Sequence, residues 1–175
     1  MSRVLIVDDE KSIRLTLSEI LKRNGYEAET AEDVQAALHK LDEQDFDIVM
    51  TDIVMPKLSG LELLKTIRSR CHSVQILIMT GDPSVETASQ ALHHGTNDYL
   101  IKPIVKEDLL KAVSHAAQIK QLSDQKKQLE LENQLYQKNL ERIIEQKTSD
   151  LQNTMESIIS LLSTVVEVRD PYTAG

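Results

Sequence analysis

Four apolar runs in this chain each end on a polar group, and that repetition constrains the fold more than any other feature. Arg3-Val4-Leu5-Ile6-Val7 leads into Asp8-Asp9. Phe46-Asp47-Ile48-Val49-Met50-Thr51 leads into Asp52, and Pro56 closes the loop that follows. Gln75-Ile76-Leu77-Ile78-Met79 ends on Thr80, and Asn97-Asp98-Tyr99-Leu100-Ile101 ends on Lys102-Pro103. Short apolar runs bounded by turn residues read as strands buried on both faces, as in a parallel sheet. Strands that run parallel deliver their ends to one edge, where open α/β folds bind their ligands.

The intervening segments carry helical spacing. Ile13, Leu15, Leu17, Ile20 and Leu21 mark a first helix, stopped by Asn24-Gly25. Glu27–Ala31 reads as a shorter, more polar strand nearer an edge. Val34, Ala37, Leu38 and Leu41 mark a second helix, and Ser59-Gly60 opens a third with Leu61, Leu64 and Ile67. Ser84 caps an expected helix bearing Val85, Ala88, Ala91 and Leu92, stopped by Gly95. A fifth starts near Lys106-Glu107-Asp108. Five βα units in strict alternation predict an α/β protein, a parallel sheet with helices on both faces. Strands one, three, four and five must be neighbours to bring the four polar ends together. The flavodoxin-like order 2-1-3-4-5 does this. With one Phe and no Trp in the chain, the core must be built from Leu, Ile, Val, Ala and Met.

The converging groups have a definite chemistry. In the predicted sheet Asp8, Asp9 and Asp52 lie within several ångströms of one another. At an effective dielectric near 20, two unit charges about 5 Å apart repel by roughly 3 kcal/mol. A cation removes that cost, and hard oxygen ligands suit Mg²⁺, which readily bridges to phosphate. Asp52 is then a candidate nucleophile, because a carboxylate can attack phosphorus and form an aspartyl phosphate. Lys102 can hold a phosphoryl oxygen as a point charge, and Thr80 can donate a hydrogen bond to another. Singly, each has an ordinary reading: a turn-capping Thr80, a solvated Lys102, a core Tyr99. Their common placement at strand ends favours the shared one.

In order and spacing, Asp8-Asp9-Glu10, Thr51-Asp52-Ile53-Val54-Met55-Pro56, Met79-Thr80-Gly81 and Tyr99-Leu100-Ile101-Lys102-Pro103 resemble the response-regulator receiver family over residues 1–120. The resemblance implies phosphoryl transfer from a histidine kinase to Asp52. It implies Mg²⁺ (or Mn²⁺) held by Asp9 and Asp52 directly, by Asp8 mainly through water, and by the backbone carbonyl of Val54. It also implies a switch pair, Thr80 moving toward the phosphoryl group and Tyr99 turning into the space vacated, and a cis Lys102-Pro103 bond. No position required by the family departs from its pattern. Other phosphate chemistries lack their motifs: there is no Gly-x-x-x-x-Gly-Lys-Ser/Thr run and no Gly-x-Gly-x-x-Gly after the first strand. His93-His94 are adjacent on a helix and read as surface residues, and Cys71, before the fourth strand, as inert.

From Lys106 to Asp170 there is neither Pro nor Gly. A helix of that span measures roughly 95 Å at about 1.5 Å per residue and needs a partner. Ile119, Leu122, Leu129, Tyr136, Leu140 and Ile143 fit a heptad seam, with Lys126 and Asn133 at weaker seam positions. Ile144, Leu151, Ile158 and Val165, interleaved with Thr148, Met155 and Leu162, continue it in a frame displaced by one residue. Such a phase break locally changes supercoiling. The narrow seam and polar flanks predict a parallel dimeric coiled coil over residues 121–168, continuous with the fifth helix and making the protein a homodimer. Residues 169–175, Arg169-Asp170-Pro171-Tyr172-Thr173-Ala174-Gly175, resemble the opening of an HD-GYP domain, the cyclic-di-GMP phosphodiesterase module. The chain stops before that family's metal ligands, so it is expected to have no hydrolase activity itself, only phosphoryl acceptance and its reversal. The output domain is expected beyond it; the alternative is a stand-alone adaptor whose coiled coil docks a separate protein.

The remaining expectations are exclusions. A net charge of −8 argues against a bare nucleic-acid binder. No helix-turn-helix module follows the first domain, and no His lies in the coiled coil after His115 to serve a hybrid kinase. No apolar run approaches the roughly 18–20 residues that span a bilayer. A single cysteine allows no intrachain disulfide, and the N-terminus enters a strand at once without a signal peptide, so a cytoplasmic location is expected.

Overall fold

The computed structural model describes residues 2–70, 73–81 and 95–169. Five parallel strands, β1 (Arg3–Val7), β2 (Glu27–Ala31), β3 (Ile48–Asp52), β4 (Gln75–Thr80) and β5 (Asp98–Ile101), form one sheet. Their order is β2-β1-β3-β4-β5, as the convergence of polar ends requires. The helices are α1 (Lys11–Arg23), α2 (Val34–Glu43), α3 (Gly60–Arg70) and α4 (Lys106–Arg169). The helix expected after Ser84, His93-His94, Cys71 and the segment from Asp170 onward lie outside the described residues.

Alternation along each strand builds two cores. Leu5, Val7, Val49, Ile76 and Ile78 face one way and pack with Val34 and Ala37 of α2 and Leu63, Leu64 and Ile67 of α3. Val4, Ile6, Ile48, Met50, Leu77 and Met79 face the other way, against Leu17 and Leu21 of α1 and Leu109, Ala112, Val113 and Ala116 of α4. Both cores are almost wholly aliphatic. The strands buried on both sides are therefore continuously apolar, whereas β2, at the edge, is half-polar.

Local chemistry explains the helix ends. The Asp33 carboxylate accepts the Ala36 backbone N–H at 2.8 Å and caps α2. Ser59 and Glu62 form a capping box at α3: the Ser59 N–H donates to Glu62 Oε2 at 2.8 Å, and the Glu62 N–H donates to Ser59 Oγ at 3.4 Å. Gly25, just after α1, has φ +85°, the left-handed conformation that glycine adopts without penalty.

The chain divides into two units, residues 1–125 and 126–175. The first contains the sheet. In the second, residues 126–166 are exposed throughout, including Leu129, Leu140, Ile143, Leu151, Ile158 and Val165. No helix among the described residues is long and apolar enough to cross a membrane.

Candidate functional site at the strand ends

Sheet register places the site. Val7 pairs with Thr51, Asp52 with Met79, and Thr80 with Ile101, so Asp8, Asp52, Thr80 and Lys102 follow one another along the carboxyl edge. Two backbone hydrogen bonds extend the ladder: Ile53 N–H to the Met79 carbonyl at 3.0 Å and Lys102 N–H to the Thr80 carbonyl at 2.8 Å.

Asp8, Asp52 and Thr80 are buried, while Asp9 is exposed. One carboxylate oxygen from each of Asp8, Asp9 and Asp52 falls within 4.8 Å of the other two. Lys102 Nζ bridges two of them, donating to Asp8 Oδ2 at 2.7 Å and to Asp52 Oδ2 at 2.5 Å. Burial alone would lower the Lys102 pKa; hydrogen bonds to Asp52 and then Asp8 outweigh it and hold the amine above its ordinary 10.5. The remaining Asp52 oxygen, Oδ1, accepts the Val54 N–H at 3.2 Å. Asp8 Oδ1 accepts the Glu10 N–H at 2.8 Å. One ammonium thus pairs with two buried carboxylates, and Asp9 adds a third beside them. Desolvated charge is tolerated only when paired, and the unbalanced negative charge on hard oxygen donors fits a divalent cation of the Mg²⁺ type.

The other expected residues fall around this cluster. Val54, two residues beyond Asp52, is exposed at the rim. The Lys102-Pro103 bond is cis. Tyr99 packs against the α2/α3 core, and its buried hydroxyl has no hydrogen-bond partner among the described residues.

Two site residues were not picked out from the sequence. Gly60, at the start of α3, donates its N–H to the Ile53 carbonyl at 3.1 Å and lies directly under Asp52. Arg14 of α1 donates from one guanidinium nitrogen to the backbone carbonyls of Asp8 at 2.6 Å and Asp9 at 2.9 Å. No residue-type signal pointed to either: both act through backbone atoms, and with Asp8, Asp9 and the N-cap Glu10 just ahead of it the basic start of α1 is ordinary.

The family profile described as response regulator receiver domain matches residues 4–114. The chain belongs to the response regulator receiver family. Receiver domains take part in two-component signalling, accepting a phosphoryl group from a histidine kinase. Among curated relatives, the regulatory protein AtoC of Escherichia coli is 37% identical over 122 residues, covering 70% of this chain and 26% of AtoC. The response regulator MprA of Mycolicibacterium vanbaalenii is 39% identical over 108 residues, covering 62% of this chain and 47% of MprA. The chain therefore spans between a quarter and a half of the length of these relatives. Among solved structures, the chemotaxis protein CheY4 of Vibrio cholerae superposes with a TM-score of 0.64 at 37% identity, covering 66% of this chain and 98% of CheY4. The signal receiver domain of an HD domain-containing protein from Pseudomonas fluorescens superposes with a TM-score of 0.66 at 28% identity, covering 69% of this receiver-family chain and 97% of its own.

Proposed function

We propose that this receiver accepts a phosphoryl group on Asp52 and passes the change to a dimeric helix pair. The observation that carries the first half is the meeting of the Asp8, Asp9 and Asp52 carboxylates within 4.8 Å, with Lys102 bridging Asp8 and Asp52. In the transfer, an Asp52 carboxylate oxygen forms the new P–O bond as the P–N bond of the kinase phosphohistidine breaks. The imidazole leaves with the bonding pair. Asp8, Asp9, Asp52 and the backbone carbonyl of Val54 would hold Mg²⁺ or Mn²⁺, which when bound neutralises charge on the donor and acceptor oxygens. Lys102 exchanges a carboxylate for a phosphoryl oxygen, and Thr80 donates to another. Tyr99 then follows Thr80. Its buried hydroxyl has no hydrogen-bond partner among the described residues, so little there holds it in a single position.

The test is mass spectrometry after treatment with acetyl phosphate and Mg²⁺. Wild type is expected to gain one phosphoryl mass and Asp52→Ala none. An unmodified wild type, or a modified Asp52→Ala, would overturn the assignment.

The second half rests on the helix beyond residue 125. Its apolar residues recur at 3-4 spacing and are exposed in the single chain throughout 126–166, which favours a second copy as their cover. On this reading residues 1–120 are the receiver and 121–168 the signalling helix pair. The phosphorylated receiver shifts that pair's packing or register, with the frame change at Leu140–Ile144 as the place where rotation is absorbed. Coupling of about 1–3 kcal/mol is the usual size of such shifts. An HD-GYP output module would begin at residue 169, so that the intact protein would hydrolyse cyclic-di-GMP. The resemblance of residues 169–175 supports this, and so does the likeness to the receiver domain of the HD domain-containing protein from Pseudomonas fluorescens.

A further inference from the structure

We propose that Arg14 is a positioning residue for the metal-binding acid pair, an inference that rests on the Mg²⁺ reading of the site. Two consecutive carbonyls of the β1–α1 turn, those of Asp8 and Asp9, converge on one guanidinium nitrogen at 2.6 and 2.9 Å. Carbonyls held on one side of a turn fix the peptide planes, and with them the directions in which the Asp8 and Asp9 side chains leave the backbone. Asp8 has other anchors, the Glu10 N–H on Oδ1 and Lys102 on Oδ2. Asp9 is exposed, and among the described hydrogen bonds the contact from Arg14, five residues on, is the one that restrains its backbone. Asp9 is therefore the acid most dependent on Arg14.

Arg14 lies in the first turn of α1, where a cation opposes the helix dipole; the N-cap Glu10 and the preceding Asp8 and Asp9 offset that cost. Arg14 also adds positive charge beside a cation site, which by itself would weaken metal binding. Positioning and charge thus predict opposite signs for its removal, and the sign decides between them.

The experiment is calorimetric Mg²⁺ titration of the full chain, without phosphodonor, with far-ultraviolet circular dichroism to confirm folding. Outer-shell partners of metal ligands are worth roughly 10–100-fold in affinity, and Arg14→Ala is expected to weaken Mg²⁺ binding by that order. Arg14→Lys keeps the charge and restores part of the affinity. A folded Arg14→Ala that binds Mg²⁺ as tightly as wild type, or more tightly, overturns the proposal and leaves the metal site itself standing. Should Arg14→Ala not fold, Arg14→Lys carries the test, and wild-type affinity there overturns the positioning role. A wild type that binds no Mg²⁺ overturns the metal reading together with this one.

Discussion

Gly60 lies so close beneath Asp52 that a Cβ built on it would stand 2.0 Å from the Asp52 carbonyl oxygen and 2.8 Å from Thr51 Oγ1. Neither atom can yield cheaply, because one is backbone and both belong to a fully buried strand. The start of α3 therefore locks the strand end that presents Asp52. Gly60→Ala is expected to destabilise the protein by about 2–3 kcal/mol, the usual cost of overpacking a core that must move. Urea unfolding measures it. The same variant should phosphorylate more slowly even where it is folded, since Asp52 moves with its backbone.

Lys102 is the one ammonium between two buried carboxylates, and its raised pKa gives a signed pH dependence. A lysine with a folded-state pKa above 10.5 contributes stability that is complete below 10.5 and is lost as pH climbs through the folded value. Wild type should hold that contribution into alkaline solution and then lose it, and Lys102→Gln should lack this limb. Removing the amine also removes a competitor for Asp8 and Asp52. Lys102→Gln should therefore gain more thermal stability from added Mg²⁺ than wild type does, while forming less aspartyl phosphate. Thermal melts with and without metal test the first statement, and the phosphoryl mass gained after acetyl phosphate tests the second.

Glu29 provides a control away from the site. The hydrogen bond from Lys40 lowers its pKa most; burial opposes, and a hydrogen bond from Gln44 assists the lowering. A depressed carboxylate contributes stability that is present above its ordinary 4.5 and lost as pH falls through the folded value. The side chain is partly exposed, so the effect should stay under about 1 kcal/mol. Glu29→Gln should flatten that part of the acid limb and leave Mg²⁺ binding unchanged, as isothermal titration and acid unfolding would record.

Most of the site was legible because each of its side chains follows an apolar run. Asp8, Asp52, Thr80 and Lys102 could be placed at one edge once the runs were read as parallel strands, and the sheet order bears that out. The strand bounds were read well where burial is two-sided. Phe46 was the exception: its buried ring resembled a strand residue, although β3 begins at Ile48. Arg14 and Gly60 escaped for a shared reason. Their roles are contacts to backbone atoms, Asp8 and Asp9 carbonyls in one case and the Asp52 carbonyl in the other. Backbone positions leave no residue-type pattern to read. Lys57, with φ +71° in the loop after Asp52, was hidden likewise, since nothing in a lysine announces a left-handed conformation.

The exposed apolar residues of α4 allow a decisive test of the proposed dimer. Leu129 sits at a d-type seam position, and Asn133 at the next a-type position. If two parallel copies meet there, Leu129→Glu removes two buried leucines at about 1.5–3 kcal/mol each and should raise the dimer dissociation constant more than a hundredfold. Light scattering would then report monomer at concentrations where wild type is dimeric, with the receiver still folded and still phosphorylated on Asp52. Asn133→Leu should act in the opposite sense. A buried polar pair holds register and strand number at a cost in stability, so its loss should raise the melting temperature while admitting species larger than a dimer. A wild type that scatters as a monomer would argue that this face is covered by something other than a second copy, and an Asn133→Leu variant with unchanged size and melting temperature would argue that Asn133 lies off the seam.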